Sequence, residues 1–204
     1  MPPLHTVLKS VSLFLLIYIF LTAVSTVPPV QRALGTAFGQ ACLLVAESGF
    51  EDMTFRVKPN RNEGRYEYGI RLLYFSDAAI EQARQEAMAR GDSRAAVAPP
   101  SVVTLELYTF LLVPLFFLWA LLLATPPLRL ATFWTLLPAT ALFLAYLAIR
   151  VLVVFKAAIN PSTLYTTLAE MLSMGINMLV ALIIWGLLLI TRKSFIHTDP
   201  VGPL

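Results

Sequence analysis

Charge is what this sequence has least of. Charged side chains make up 13% of its 204 residues, against roughly 25% in an ordinary soluble domain. With 58% hydrophobic residues and a mean hydropathy of +0.75, that shortage places the chain among membrane proteins. The net charge is only +3, and the basic residues form no patch of the kind that neutralises phosphates. Nucleic acid is therefore excluded as a partner. Cysteine is limited to Cys42, so no internal disulfide can form. Gly39-Gln-Ala-Cys42 echoes a lipoprotein cleavage box, but it lies well past the first apolar run. The two histidines, His5 and His197, stand in short tails without clustered acids or thiolates, which excludes a metal site. No glycine-rich phosphate loop is present; Gly64 and Gly69 serve a turn and a strand. These absences lead to the expectation of a non-enzymatic chain without a cofactor.

What the chain has in quantity is apolar sequence of membrane length. Crossing a hydrocarbon core of about 30 Å takes roughly 20 apolar residues in a helix. Four stretches qualify: Val11 to Val27, Leu105 to Ala124, Leu130 to Phe155 and Leu172 to Thr191. Helices are expected because lipid offers free backbone groups no partner. The first stretch also reads as a cleaved signal peptide. Its length and the poor small-residue site in Thr22 to Val27 favour an uncleaved anchor. Lys9, Arg129, Arg192 and Lys193 flank the spans on one side, taken as cytoplasmic by the excess of positive charge in short loops. Lys156 dissents. Both termini, including tail 194–204, are then expected in the cytoplasm of a cell-membrane protein. Residues 28–104 are expected outside, and His5 and His197 lie across the membrane from Cys42. That separation excludes a Cys–His nucleophile pair.

The outward segment differs in character. Between Pro28 and Pro100 it holds nine basic and nine acidic residues. Gln31 to Ala46 reads as an amphipathic helix lying on the membrane surface. Met53 to Lys58 and Arg65 to Leu72 alternate apolar and polar residues on either side of the turn formers Pro59 to Gly64. That pattern predicts an antiparallel hairpin over 53–74 with one buried face. Tyr66, Tyr68 and Ile70 on that face are candidates for partner contact, against the plainer reading of core packing. A helix over 78–90 follows, with Ser76 or Asp77 as its cap and Ile80, Ala83, Ala87 and Met88 on one face. Glu86 and Arg90 are spaced for an i,i+4 pair, and Gly91 suits the stop. Asp92 to Pro100 reads as a linker. Asn160-Pro-Ser-Thr163 opens a short helix ending near Met171. The fold class expected is a membrane all-α protein of four transmembrane helices, 1–27 holding the first and 105–193 the other three. A small α+β extracytoplasmic segment lies between helices 1 and 2.

Few polar residues enter the spans: Glu106, Arg150, Glu170 and Asn177. A charge in lipid costs several kcal/mol unless paired or hydrated. Arg150 either pairs with Glu106 or Glu170, or extends its long stem to the interface. Pro114 and Pro138 fall within spans, where neighbouring helices satisfy the carbonyl that a proline frees.

The hairpin strand running into the second span, the Leu-Ala-Thr-Pro-Pro-Leu-Arg129 turn and the basic Lys156 closing the third resemble the small membrane proteins associated with exosortase systems, of the exosortase H-associated type. The resemblance covers most of the chain in order of elements. It implies an accessory role in handling exported, C-terminally anchored proteins. The sequence lacks the cysteine, arginine and histidine set of the sorting peptidase itself. The leading expectation is a membrane accessory or assembly subunit whose partners are the lipid bilayer and another membrane protein. The alternatives are a membrane-embedded enzyme or peptidase component using the outer-leaflet Glu and Arg residues, and a small oligomeric channel or transporter subunit.

Overall fold

The computed structural model describes residues 4–51, 53–62, 65–89, 101–125, 132–160, 162–172 and 174–196. Helices α1 (Leu4–Ser25) and α2 (Pro28–Gly49) come first. Strands β1 (Met53–Asn62) and β2 (Arg65–Ser76), helix α3 (Asp77–Ala89) and strand β3 (Ser101–Glu106) follow. A π-helical turn, Tyr108–Leu112, leads into α4 (Val113–Ala124). The chain then forms α5 (Thr132–Ile159), α6 (Thr163–Met171) and α7 (Met174–Ile196). Two compact units result. One holds residues 1–28, 109–147 and 171–204; the other holds 29–108 and 148–170.

The first, a helix unit, comprises α1, α4, α7 and the first part of α5. The helix over His5–Ser25 and that over Trp134–Ile159 are each long and apolar enough to cross a membrane. Large side chains of α1 face outward along its length: Leu8, Leu16, Ile19 and Phe20 are all more than 60% exposed. Apolar exposure of this extent is expected of a lipid-facing helix. Its inner face meets α4, where Phe14 abuts Phe117 edge-on with ring centroids 5.6 Å apart. In α4, Leu118, Ala120 and Leu122 are buried. From α5, Ala139, Phe143 and Leu147 are buried at four-residue spacing, which keeps one face inward.

The second span is shorter than expected. Leu105 and Glu106 close β3 rather than opening a helix, and the apolar helix runs over Tyr108–Ala124. Val103 and Leu105 of β3 fill a sheet core, and a short apolar run reads alike in a buried strand and a membrane helix. The fourth stretch falls in α7, and it qualifies as a third span only when Thr163–Met171 and Ile176–Thr191 count together as one bent span.

The second, a sheet unit, is built on a three-stranded antiparallel sheet in the order β1-β2-β3. The hairpin is longer than expected, because Pro59 to Asn62 continue β1. Pairing slips after Pro59↔Ile70 and resumes at Arg61↔Tyr66, so Asn60 faces three residues of β2. A proline without an N–H is tolerated at such a bulge on an edge strand. Phe55, Leu72, Val103 and Leu105 are buried. The register places them on one face. The end of α5 packs there: Phe155 stands edge-on to Phe55 at 5.5 Å and tilted to Phe50 at 6.4 Å. Tyr74 Oη donates to the Ala158 carbonyl at 3.1 Å.

Helix α2 buries Phe38, Gly39, Cys42 and Ala46, a stripe at helical spacing. The α3 helix starts at Asp77, which therefore lies in the first turn. Ala87 is buried as expected, but Ile80 and Met88 of the same predicted face are exposed. The expected short helix after Asn160 is α6, and the Ser162 hydroxyl caps it by accepting from the Tyr165 N–H at 3.4 Å. The Arg129 turn, the 92–100 linker, the Gly91 stop, the Glu86–Arg90 pair and His197 fall outside the described residues.

Candidate functional site

The strongest polar cluster in the helix unit begins with a proline. Pro114 has no N–H, so the carbonyl four residues earlier, that of Phe110, gets no donor from it. The π-helical turn Tyr108–Leu112 lies just there. Such turns accommodate displaced helical hydrogen bonds and recur at functional sites. Asn177, fully buried on α7, turns its Nδ2 to the Phe110 carbonyl at 3.5 Å. Its Oδ1 accepts from Tyr146 Oη of α5 at 2.8 Å. One amide thereby links α4, α5 and α7. The shorter contact is the stronger of the two, since hydrogen bonds weaken steeply at longer reach.

Two more polar bridges fasten the same helices. Trp119 Nε1 donates to Thr140 Oγ1 at 2.9 Å, joining α4 to α5. Trp185 Nε1 donates to Thr125 Oγ1 at 3.0 Å, joining α7 to the end of α4. That threonine hydroxyl donates in turn to the Leu121 carbonyl at 2.6 Å. Between membrane helices, where apolar burial gives little net drive, such bonds and close packing set the pairing.

The four polar residues singled out in the sequence divide between the two units. Asn177 has its partners in the helix unit, whereas Glu106, Arg150 and Glu170 belong to the sheet unit. Glu106 and Glu170 are exposed, and Arg150 is half-buried, with its Nε and Nη1 shielded from solvent. Helix α5 runs on to Ile159. Arg150 therefore stands about two and a half turns from the helix end, deeper than a span ending at Phe155 implies. Tyr66, Tyr68 and Ile70 lie on β2, but their side chains are outside the described residues. Lys156 at the end of α5 lies 5.7 Å from the centroid of the Tyr165 ring, a cation–π distance.

Sequence reasoning found Asn177 but not Tyr146, Thr140, Thr125 or the two tryptophans. The available signal was the proline: counting four back from Pro114 gives Phe110, whose carbonyl gets no N–H from that position. Cys42 is buried on α2, and that burial pushes its thiol up from 9.0 to about 12. Among the described residues, no group of three or more His, Cys, Asp or Glu side chains is placed to hold a metal ion.

Two helices of membrane length and hydropathy, with a mostly helical chain carrying a three-stranded sheet, support the class of helical membrane proteins. Beyond that class, no protein-family model matches the chain, and neither curated proteins nor solved structures give a significant match.

Proposed function

We propose that this chain is a non-enzymatic, four-span accessory subunit of the cell membrane, whose sheet unit contacts a partner in an exosortase-type protein-sorting system. The observation that carries the reading is the pairing of membrane-length apolar helices with a separately packed, charge-balanced sheet unit. The first and third crossings are α1 and α5. Tyr108–Ala124 supplies the second: its 17 residues rise about 25 Å, a shortfall that local thinning of the bilayer accommodates at modest cost. Helix α7 supplies the fourth. Polar bridges through Asn177, Trp119 and Trp185 support a fixed bundle, and the outward apolar surface of α1 is suited to lipid or to a neighbouring membrane protein.

Arg150 pairs with Glu106 or Glu170 in this reading; all three belong to the sheet unit. Reversing Arg150 to Glu should impair assembly, and reversing one of the two glutamates should restore it. Full expression and function of Arg150→Leu would remove the pairing. The function itself is tested by purification in mild detergent with identification of co-purifying membrane proteins. A stoichiometric membrane partner is expected. Repeated isolation of the chain alone, with turnover of its own, would favour the enzyme reading instead.

A further inference from the structure

The sheet has a second face on which Leu73 is buried and the charged residues around it are exposed. Residues directly opposed in an antiparallel pair share a face, and successive residues alternate. Lys58 pairs with Arg71, and Arg71 with Thr104. Arg56 pairs with Leu73, and Leu73 with Val102. These residues therefore lie on the face opposite to Phe55, Leu72, Val103 and Leu105. Arg56, Lys58, Arg71, Val102 and Thr104 are all exposed. Like charges directly opposite each other destabilise a sheet, yet Lys58 and Arg71 occupy such a pair. Glu106, opposite Gly69 and one strand position beyond Thr104, is an acid on this face. Arg56, Lys58 and Arg71 thus lie together on this face, near the Glu106 carboxylate.

A short link joins β3 to the apolar helix. Thr104 lies four residues before Tyr108, where the helix over Tyr108–Ala124 begins. Four residues reach at most about 14 Å. If that helix enters the bilayer, the link keeps Thr104 within about 14 Å of its first residue.

The geometry points to this cationic face as a docking surface for anionic phospholipid headgroups, with Arg56, Lys58 and Arg71 meeting their phosphates. Arginine suits a phosphate through paired N–H donors, and lysine as a compact charge. The exposed Val102 on the same face matches the apolar edge of a headgroup layer. The inference rests on the proposed membrane reading and adds the class of ligand to it.

The test uses the full chain in nanodiscs of equal phosphatidylglycerol and phosphatidylcholine, followed by mild detergent extraction and mass spectrometry of retained lipid. Each cation near an anionic surface is worth about fivefold in preference. The R56Q/K58Q/R71Q variant should therefore retain on the order of a hundredfold less phosphatidylglycerol relative to phosphatidylcholine than the wild type. The charge-keeping R56K/R71K variant should keep the enrichment, which guards against a folding effect. Equal lipid ratios in wild type and triple variant would overturn the proposal. So would polyglutamate binding that depends on these three residues without lipid enrichment, which would assign the face to an acidic polypeptide. Release of the protein from membranes by alkaline carbonate would overturn the membrane reading beneath it, and loss of enrichment with the protein still embedded would overturn only the lipid site.

Discussion

A carbonyl that loses its helical donor inside an apolar bundle needs another donor or carries a desolvation cost of about 1–3 kcal/mol. Pro114 gives the Phe110 carbonyl no N–H, and the buried Asn177 amide donates to that carbonyl while accepting from Tyr146. Asn177→Ala removes both contacts and should cost about 1–3 kcal/mol, read as a fall in detergent-solubilised thermal stability. Tyr146→Phe alone should cost less, about 0.5–1.5 kcal/mol, and the pair should be non-additive in a double-mutant cycle. Combined Asn177→Leu and Tyr146→Phe should recover part of the loss, because no hydroxyl or amide is then left buried without a partner. Additive single losses would show that the two side chains do not act together. This site was half legible in the sequence. An asparagine within an apolar run stands out, whereas a tyrosine there looks like one more large apolar residue until its hydroxyl finds a partner. Cys42 is the other residue with a clear consequence. It lies on α2, outside the candidate membrane spans, and burial raises its thiol to about 12. Folding therefore favours the protonated form. That contribution is complete below about 9, the ordinary value, and is lost as pH rises through about 12. At pH 8 the native protein should react slowly with N-ethylmaleimide and the denatured chain quickly, by mass shift. Rapid native labelling would contradict this burial.

At the scale of elements, β-alternation and turn chemistry made β1 and β2 readable, because a half-buried strand advertises its two faces with period two. The strand β3 was not readable. Its Val102-Val103-Thr104-Leu105 run merges into the apolar helix beyond it, and only pairing with β2 separates strand from span. The bulge after Pro59 was equally hidden, since Pro, Asn and Gly mark a turn and a bulge with the same residues. The stripe Phe38, Cys42 and Ala46 shows which side of α2 packs, but not how closely its end approaches α5. That approach is set by Gly49: a Cβ there would run into the Leu152 side chain. The obstacle is the end of a flexible side chain, so Gly49→Ala should be tolerated with a small loss. Gly49→Leu should overpack the contact and cost about 1–3 kcal/mol. Leu152→Ala in the same chain should relieve part of that cost, measured by chemical unfolding. No relief would mean that the end of α2 does not rest on α5. The aromatic cluster of Phe50, Phe55 and Phe155 bounds the same contact. Phe155→Ala, at a fully buried position, should cost about 3–5 kcal/mol.

For the molecule as a whole, hydropathy picked out α1 and α5, because each is a long apolar run with few charges, although α1 also read as a signal peptide. The other two crossings are less plain for physical reasons. The stretch ending in Tyr108–Ala124 surrendered its first residues to a sheet, and the last one counts as a span only with α6 as a bent pair. The number of crossings fixes sidedness, and sidedness separates the readings. An even number leaves both ends of the chain on one side and the β1–β2 turn on the other. With three crossings, counted by dropping Tyr108–Ala124, the turn and the segment after α7 fall in the same compartment. The two arrangements differ at Arg61 and Lys193, one at the tip of β1 and the other near the end of α7. Single cysteines at these positions in a Cys42→Ala background, probed in intact cells with a membrane-impermeant maleimide, distinguish them. Four crossings predict labelling at position 61 from outside and at position 193 only after permeabilisation. Labelling of both from one side would reduce the crossings to an odd number. The apolar helix after β3 would then lie along the sheet unit or the membrane surface, and the bridges from Trp119 and Trp185 would join a helix that does not span.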